Sequence, residues 1–117
     1  MIDWLRQIQA MRLFDSLIFN DDRNSGNYLF DVDGDLWMIG HTRAFQMRQE
    51  LRYADEIIWC ARRTWQLLSE VTDDQIRAAI DTYLVSQQMG ALVERRGLLV
   101  EHIQKLIDER GEGSVIH

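Results

Sequence analysis

The absence of proline is the feature that most constrains this chain. None of its 117 residues is a proline, and proline interrupts helices because its ring lacks an N–H donor and clashes with the preceding turn. Long helices are therefore favoured over a loop-rich fold. Apolar residues make up 46% of the sequence, which is enough for a buried core and argues against disorder. The length predicts one domain spanning residues 1–117.

Apolar residues recur at helical spacing in four segments, and this spacing predicts an α-helix in each. The third helix begins at a capping box, because Thr72 and Gln75 are spaced to bind each other's backbone N–H groups. The fourth should end before Gly111, since glycine readily adopts the left-handed conformation that terminates helices. The predicted helices are residues 3–19, residues 51–68, a helix from Thr72 to about Leu84, and a helix capped by Ser86.

Two β-prone runs, "YLFDV" and "DLWMI", flank Asp33-Gly34. An Asp-Gly pair in this position predicts a hairpin with a two-residue turn, in which both central residues have positive φ. The expected fold class is therefore mainly α (α+β), with about four helices and one β-hairpin.

Four side chains within the predicted helices carry expectations of their own. Arg96 falls in the apolar stripe of the last helix, so it should pair with a carboxylate or extend its charged end to solvent. Cys60 is interpreted as a buried structural thiol inside a helix. The tryptophans at helical spacing, Trp4 and Trp65, are assigned to the core.

Composition excludes several classes of partner. The formal net charge of -6 disfavours duplex nucleic acid and anionic membranes, because both repel an acidic surface. A single cysteine allows neither a disulfide framework nor a zinc motif within one chain. No run approaches the length of a membrane span, and the N-terminus lacks the architecture of a signal peptide. The sequence therefore predicts a soluble, cytoplasmic protein.

The polar run Asp22-Arg23-Asn24-x-x-Asn27, directly before the first strand, is the candidate for chemistry. An Asp held in such a turn can accept a proton from an attacking hydroxyl or water. The Asn27 amide oxygen can bind Mg²⁺ beside it, and Arg23 can either lock the loop or contact a phosphate. The alternative is an Asx-rich turn that only hydrogen-bonds its own backbone.

The order helix, "NDDRNSGN", hairpin, "MIGHTRAF" resembles the catalytic segment of atypical kinases, in the phosphatidylinositol 3-/4-kinase-like and HipA-like bacterial groups. Their pattern is D-R-[HN]-x-x-N, a short hairpin, then an apolar residue and a metal-binding Asp. The run "ERRGLLVEHIQKLIDERGE" at 94–112 resembles the helical tail of a bacterial branch. The resemblance covers most of the chain and implies a truncated kinase C-lobe.

The resemblance makes Asp22 the counterpart of the catalytic Asp and Asn27 that of the metal-binding Asn. Gly40 stands where the family has its metal-binding Asp, and no N-lobe with a phosphate loop precedes the segment. Complete ATP-dependent kinase activity by this chain alone is therefore not expected. The candidate residues are Asp22 and Arg23 for catalysis, Asn27, Asp21 and His41 for the metal, and Arg43 and Asn24 for phosphate binding or loop ordering.

Three functions remain open at this point, one of them ordinary kinase activity rebuilt with an N-lobe from another chain. The first is a kinase-derived fragment with a residual phosphate and divalent-metal site (Mg or Mn), performing metal-assisted phosphoryl chemistry such as phosphoester hydrolysis. Its substrate would be a phosphorylated small molecule or nucleotide. The alternative is a catalytically dead, pseudokinase-like module for interaction or self-association, since an apolar patch exposed by the missing kinase parts would favour a homo-oligomer.

Overall fold

The computed structural model describes residues 3–21, 23, 28–38, 44–80 and 82–117. Helices dominate this part of the chain, and a two-stranded antiparallel hairpin is its sheet, so the expected mainly α (α+β) class is confirmed. A single 3₁₀ turn lies between the hairpin and the later helices. The elements are α1 (Asp3–Ile18), β1 (Tyr28–Phe30), β2 (Leu36–Met38), the 3₁₀ turn (Ala54–Glu56), α2 (Arg62–Glu70), α3 (Asp73–Ile80), α4 (Ser86–Arg110) and α5 (Glu112–Val115).

Helix α4 forms the centre of the core, and α1, α2, α3 and α5 all contact it. Its apolar stripe was correctly identified from the spacing, because one face is buried along its whole length. Leu99 and Ile103 are fully enclosed in this core. The buried residues of α4 are Met89, Ala91, Leu92, Arg95, Leu99, Ile103 and Leu106.

The helix ends follow local signals with small shifts. The capping box is confirmed, because Gln75 N donates to Thr72 Oγ1 at 3.1 Å and Thr72 N donates to Gln75 Oε1 at 2.9 Å. Helix α3 ends at Ile80, four residues before the predicted end. The residue that caps α4 is Val85 rather than Ser86. Gly111 ends α4 with φ +85°, as its position predicted.

The hairpin exists, but its turn is longer than predicted. Phe30 pairs with Leu36, and Asp31 N donates to Asp35 O at 2.9 Å, which leaves three residues in the loop instead of two. Gly34 has φ +84° and its N–H donates to Asp31 O, so a type I turn is closed by a left-handed glycine. The Asp31 carboxylate favours this longer loop by accepting hydrogen bonds from the N–H groups of residues 33 and 35.

The predicted helix over 51–68 is wrong in its first half. Residues 54–56 form the 3₁₀ turn, residues 57–61 are extended, and the helix starts only at Arg62. This extended segment pairs in parallel with residues 115–117, through a bridge between Cys60 and Ile116. Cys60 N donates to Val115 O at 2.8 Å, and His117 N donates to Cys60 O at 3.0 Å. Cys60 is buried as predicted, but in this bridge and not in a helix.

Side chains from two helices bind the rest of this extended backbone. Gln9 of α1 donates to Glu56 O at 2.8 Å and accepts from the N–H groups of Ile58 and Trp59 at 3.0 and 3.1 Å. His102 Nε2 lies 2.9 Å from the carbonyl oxygen of Ile57. These bonds replace those that a helix would make within itself, so backbone polar groups in a buried position remain paired.

Two of the apolar positions of α1 do not lie in the core. Trp4 is 52% exposed and Phe14 is 40% exposed, so the core assignment of Trp4 is wrong, whereas Trp65 packs against the core cluster. The polar residues Asp15 and Ser16 are fully buried in this helix instead. None of the helices in the described residues has both the length and the apolar character needed to cross a membrane.

Candidate functional site

The sequence-predicted site divides between residues that the structure describes and residues that it does not. Arg23 and Asp21 are described, and so are the segments on both sides of the predicted site. The predictions for Asp22, Asn24, Asn27, Gly40, His41 and Arg43 lie outside the described residues.

Arg23 forms a buried, bidentate ion pair with Asp15 of α1. Its Nε donates to Asp15 Oδ2 at 2.8 Å and its Nη2 donates to Asp15 Oδ1 at 2.9 Å. Both side chains are completely shielded from solvent. Two parallel N–H···O bonds fix the guanidinium plane as well as its position. Arg23 therefore ties the polar loop directly to α1, in keeping with the loop-locking role considered beside phosphate binding.

The carboxyl end of α1 turns the chain toward this ion pair. Asn20 N donates to Asp15 O at 2.8 Å and Phe19 N donates to Ser16 O at 3.3 Å, the bonding pattern that closes a helix around a left-handed residue. That residue is Phe19, with φ +48°. A bulky residue in the left-handed region costs about 1–2 kcal/mol, and such strain persists only where the surrounding structure enforces it.

The segment that follows residues 40–43 is bonded to the same helix end. Phe45 N donates to Ile18 O at 2.5 Å, and Phe45 itself has φ +59°. Two phenylalanines in left-handed conformation therefore lie on either side of one backbone hydrogen bond. The chain entering residues 22–27 and the chain leaving residues 40–43 meet at the carboxyl end of α1.

Arg95 of α4, which the sequence reasoning did not single out, holds these two segments together. Its Nε donates to Leu17 O at 2.8 Å, and its Nη1 donates to Gln46 O at 2.7 Å and Arg48 O at 2.6 Å. The side chain is completely buried, and its guanidinium carbon lies 5.8 Å from the Phe19 ring centroid. The residue thus satisfies a carbonyl at the end of α1 and anchors residues 46–48 at the same point.

The acceptors of Arg95 are backbone carbonyls, so its charge is stabilised by dipoles. Burial lowers the pKa of Arg95 to about 10, which leaves the group charged at neutral pH. A buried guanidinium is costly unless its donors are satisfied; Nε and Nη1 of Arg95 are, whereas its buried Nη2 has no acceptor among the described residues. A charged residue inside an apolar stripe is the signal that could have identified Arg95. The spacing pattern placed its neighbour Arg96 in that stripe instead.

Arg96, the neighbour, pairs with a carboxylate as predicted. Its Nη2 donates to Asp73 Oδ1 at 2.5 Å, which connects α4 to the first residue of α3. The pair joins two helices, and both of its residues are far in sequence from the candidate site.

The Asp31 carboxylate is engaged in the hairpin turn. Asp31 Oδ2 accepts a hydrogen bond from Trp37 Nε1 at 2.8 Å, and this bond, followed by those from backbone N–H groups, holds the pKa of the Asp31 carboxyl below its ordinary value. Within the described ranges, no three His, Cys, Asp or Glu side chains lie together as a metal site would require.

The comparisons with known proteins add no family. No protein-family model matches the chain, and no curated protein matches its sequence significantly.

Proposed function

We propose that this protein is a kinase-derived C-lobe fragment that binds a phosphorylated small molecule or nucleotide, together with a divalent cation, between residues 21–27 and 40–43. Its activity would be metal-assisted phosphoryl chemistry such as phosphoester hydrolysis. Asp22 is the general base in this proposal, and Asn27 is the main metal ligand.

The observation that carries the proposal is that the chain is fixed on both sides of the proposed site. The segment before residues 22–27 and the segment after residues 40–43 are both held at the carboxyl end of α1. The Asp15–Arg23 ion pair anchors one flank, and Arg95 anchors the other. Phe19 and Phe45 both adopt left-handed backbone there. Burying charged groups and straining bulky residues are both unfavourable, and strain of this kind clusters at functional sites. A turn that only connected two elements would need neither.

The residues of the chain then have distinct tasks. Arg23 uses its guanidinium on Asp15 and would act as a positioning residue for the polar loop. Asp22 would take the proton from an attacking water, a role that contributes about 10²–10⁴-fold to rate in enzymes generally. Arg43 and Asn24 would contact the phosphate or order the loop. Their donors suit an anionic group that the rest of this acidic surface repels.

The predicted metal ligands fit a hard divalent cation. Carboxylate and amide oxygens, as in Asp21 and Asn27, are the donors that Mg²⁺ and Mn²⁺ take, whereas a contribution from His41 would favour Mn²⁺. Such an ion lowers the pKa of a bound water and so supplies a nucleophile near neutral pH. Gly40 removes one carboxylate relative to the kinase pattern, so weak affinity for the ion is expected.

The direct test is an assay of the purified chain against phosphomonoesters and phosphodiesters with Mg²⁺, with Mn²⁺ and without metal. Asp22→Ala and Asn27→Ala should each reduce turnover by about 100-fold or more. Asp33→Ala, which removes a carboxylate at the hairpin tip, should leave turnover unchanged. Equal activity in the parent, Asp22→Ala and Asn27→Ala would exclude the catalytic assignment. Gly40→Asp should raise Mn²⁺ affinity in a calorimetric titration, and no gain would contradict the position assigned to Gly40.

The second candidate function, a self-association module, rests on exposed apolar side chains. Leu29 and Trp37 form a cross-strand pair on the outer face of the hairpin and are 46% and 58% exposed. Large aromatic residues at a surface are typical of interface centres. Sedimentation velocity on the parent and on Leu29→Glu would distinguish the two functions. A dimer that the substitution dissociates supports the module, and a monomeric parent at high micromolar concentration refutes it.

A further inference from the structure

A groove of about 360 Å³ lies between α3 and parts of α1, α2 and α4. Its volume is near the lower end of the range of about 300–1,000 Å³ that small-molecule sites occupy. Its lining is almost entirely apolar, and Gln75 and Arg96 are its polar residues. We call this space the α3 groove; Ile76, Ala79 and Ile80 line it on one side, and Leu17, Leu68 and Leu92 line it on the other.

Helix α3 is packed unusually lightly for an amphipathic helix. It contributes no buried residue to the core, although its apolar side chains point toward the groove. Among the described contacts, the Arg96–Asp73 ion pair is the polar side-chain link between α3 and α4. An amphipathic helix is normally stabilised by burying its apolar face. Something that fills the groove would complete that burial.

Arg96 is the charged residue of the groove lining, and Asp73 occupies part of its guanidinium. Its side chain is only 17% exposed, and it offers Nη2 to one oxygen of the Asp73 carboxylate. Its Nε is buried, and no acceptor among the described residues satisfies it. A guanidinium binds a carboxylate best through two parallel N–H···O bonds. Arg96 therefore uses only one of the two N–H donors that a bidentate carboxylate would take. Asp73, whose side chain is 53% exposed, is a partner that can be exchanged.

We propose that the α3 groove binds an aliphatic monocarboxylate, with the chain between α3 and α4 and the carboxylate on Arg96 in place of Asp73. The partner that Arg96 already holds is a carboxylate, which argues for this head group. A phosphate dianion fits less well, because Asp73 and Asp74 at the start of α3 and the net charge of -6 repel a second negative charge. This site includes Ile18 and Phe45 at the end of α1, beside the phosphoryl site proposed above, but it uses none of the residues assigned to phosphoryl chemistry.

The proposal makes Asp73 a competitor of the ligand. Removing its charge frees Arg96, so Asp73→Asn should bind the ligand several-fold more tightly than the parent. Arg96→Gln removes the donor pair and should weaken binding by about tenfold or more, as expected when a charge-assisted hydrogen bond is lost. Opposite effects at the two members of one ion pair are not expected if the pair only stabilises the fold.

The test is calorimetric titration of the full chain with butanoate, hexanoate and octanoate, with octan-1-ol as the uncharged analogue. Affinity should rise about fourfold for each added methylene until the groove is filled, and octan-1-ol should bind at least tenfold more weakly than octanoate. Ala79→Phe, which fills the groove, should abolish binding. Ala78→Phe makes the same change at an exposed neighbour outside the lining and should bind octanoate like the parent.

Arg77→Gln, on α3 but outside the groove, is the charge control for Arg96→Gln. Absence of octanoate binding by the parent at millimolar concentration overturns the proposal. Binding that survives Ala79→Phe overturns the location. Tighter binding of octan-1-ol than of octanoate, or weaker binding of octanoate by Asp73→Asn, overturns the role of Arg96. Asp73→Asn keeps the head-group test valid even if Arg96→Gln does not fold.

Discussion

Replacing Arg23 by methionine should destabilise the protein strongly, because it leaves the Asp15 carboxylate buried without its partner. Both members of this ion pair are fully shielded, and they are joined by bonds of 2.8 and 2.9 Å. Removal of one member of such a pair costs about 3–5 kcal/mol. Domains of this size have a free energy of unfolding of about 5–15 kcal/mol. We expect the melting temperature to fall by roughly 10–20 °C.

The double variant Asp15→Leu/Arg23→Met should recover most of that loss. Leucine and methionine approximate the volumes of the original side chains without burying a charge, and such replacements are often neutral or stabilising. The free energies of unfolding of the parent, both single variants and the double variant form a double-mutant cycle measured by urea denaturation. We expect a coupling energy of about 3 kcal/mol or more between the two sites.

The exposed pair Arg62–Glu112 offers a matched control. These side chains are 55% and 58% exposed at 3.6 Å, so Arg62→Met should change the free energy of unfolding by less than about 1 kcal/mol. If Arg23→Met costs no more than Arg62→Met, the buried bidentate geometry is incorrect. If the double variant loses as much free energy of unfolding as the two single variants together, Asp15 and Arg23 do not stabilise each other. The ion pair would then not anchor the candidate site.

Three further outcomes can be measured. Burial raises the pKa of the Cys60 thiol to about 11, above its value in the unfolded chain. The thiol contribution to stability is therefore complete below about pH 9 and is lost as the pH rises through 11, by about 3 kcal/mol in all relative to Cys60→Ala at each pH. Gln9→Ala should cost about 2–3 kcal/mol in urea denaturation because it strips partners from the extended segment, whereas Gln104→Ala, whose partner is exposed, should cost less than about 0.5 kcal/mol. Gly34→Ala should cost about 1 kcal/mol from backbone strain alone, since a Cβ there meets no atom within 4 Å; an unchanged free energy of unfolding would contradict the left-handed backbone described for Gly34.

The elements that the sequence predicted well are those whose signals are local. The capping box at Thr72, the glycine that ends α4 and the stripe of α4 each depend on residues within a few positions of one another. The hairpin was also found from adjacent residues. Its turn type was missed because the Asp31 carboxylate organises the loop, and propensity rules for Asp-Gly do not include that bond.

The wrong half of the 51–68 helix shows where local signals fail. Its apolar residues fit helical spacing, but the partners of its backbone are Gln9, His102 and residues 115–117, all at least 40 residues away in sequence. Tertiary bonds of this kind override propensity. The prediction that placed Arg96 and not Arg95 in the apolar stripe failed for a similar reason. One residue is a rotation of about 100° on a helix, and the packing of α4 decides which of the two is buried.

The candidate site could be predicted only in part. The sequence identified the polar loop and offered loop locking as one role for Arg23, whose contact with Asp15 is now described. It gave no indication that Asp15 is buried, because an acid eight residues earlier on a helix is usually solvated. The roles of Asp22, Asn27 and His41 remain predictions that the proposed assay addresses.

The parallel bridge between Cys60 and Ile116 has a consequence for how the protein forms during synthesis. Val115 and Ile116 are almost completely buried beside Ile57 and Cys60. Val115 accepts a hydrogen bond from Cys60 N, and His117 bonds Cys60 and Arg62, all more than 50 residues earlier. A nascent chain still lacking residues 115–117 therefore exposes the edge of residues 57–61 and an unfilled core. Domains fold as units once their chain is available. The final cooperative step must then wait until residues 115–117 have emerged from the ribosome, and until then the unpaired edge is open to other chains.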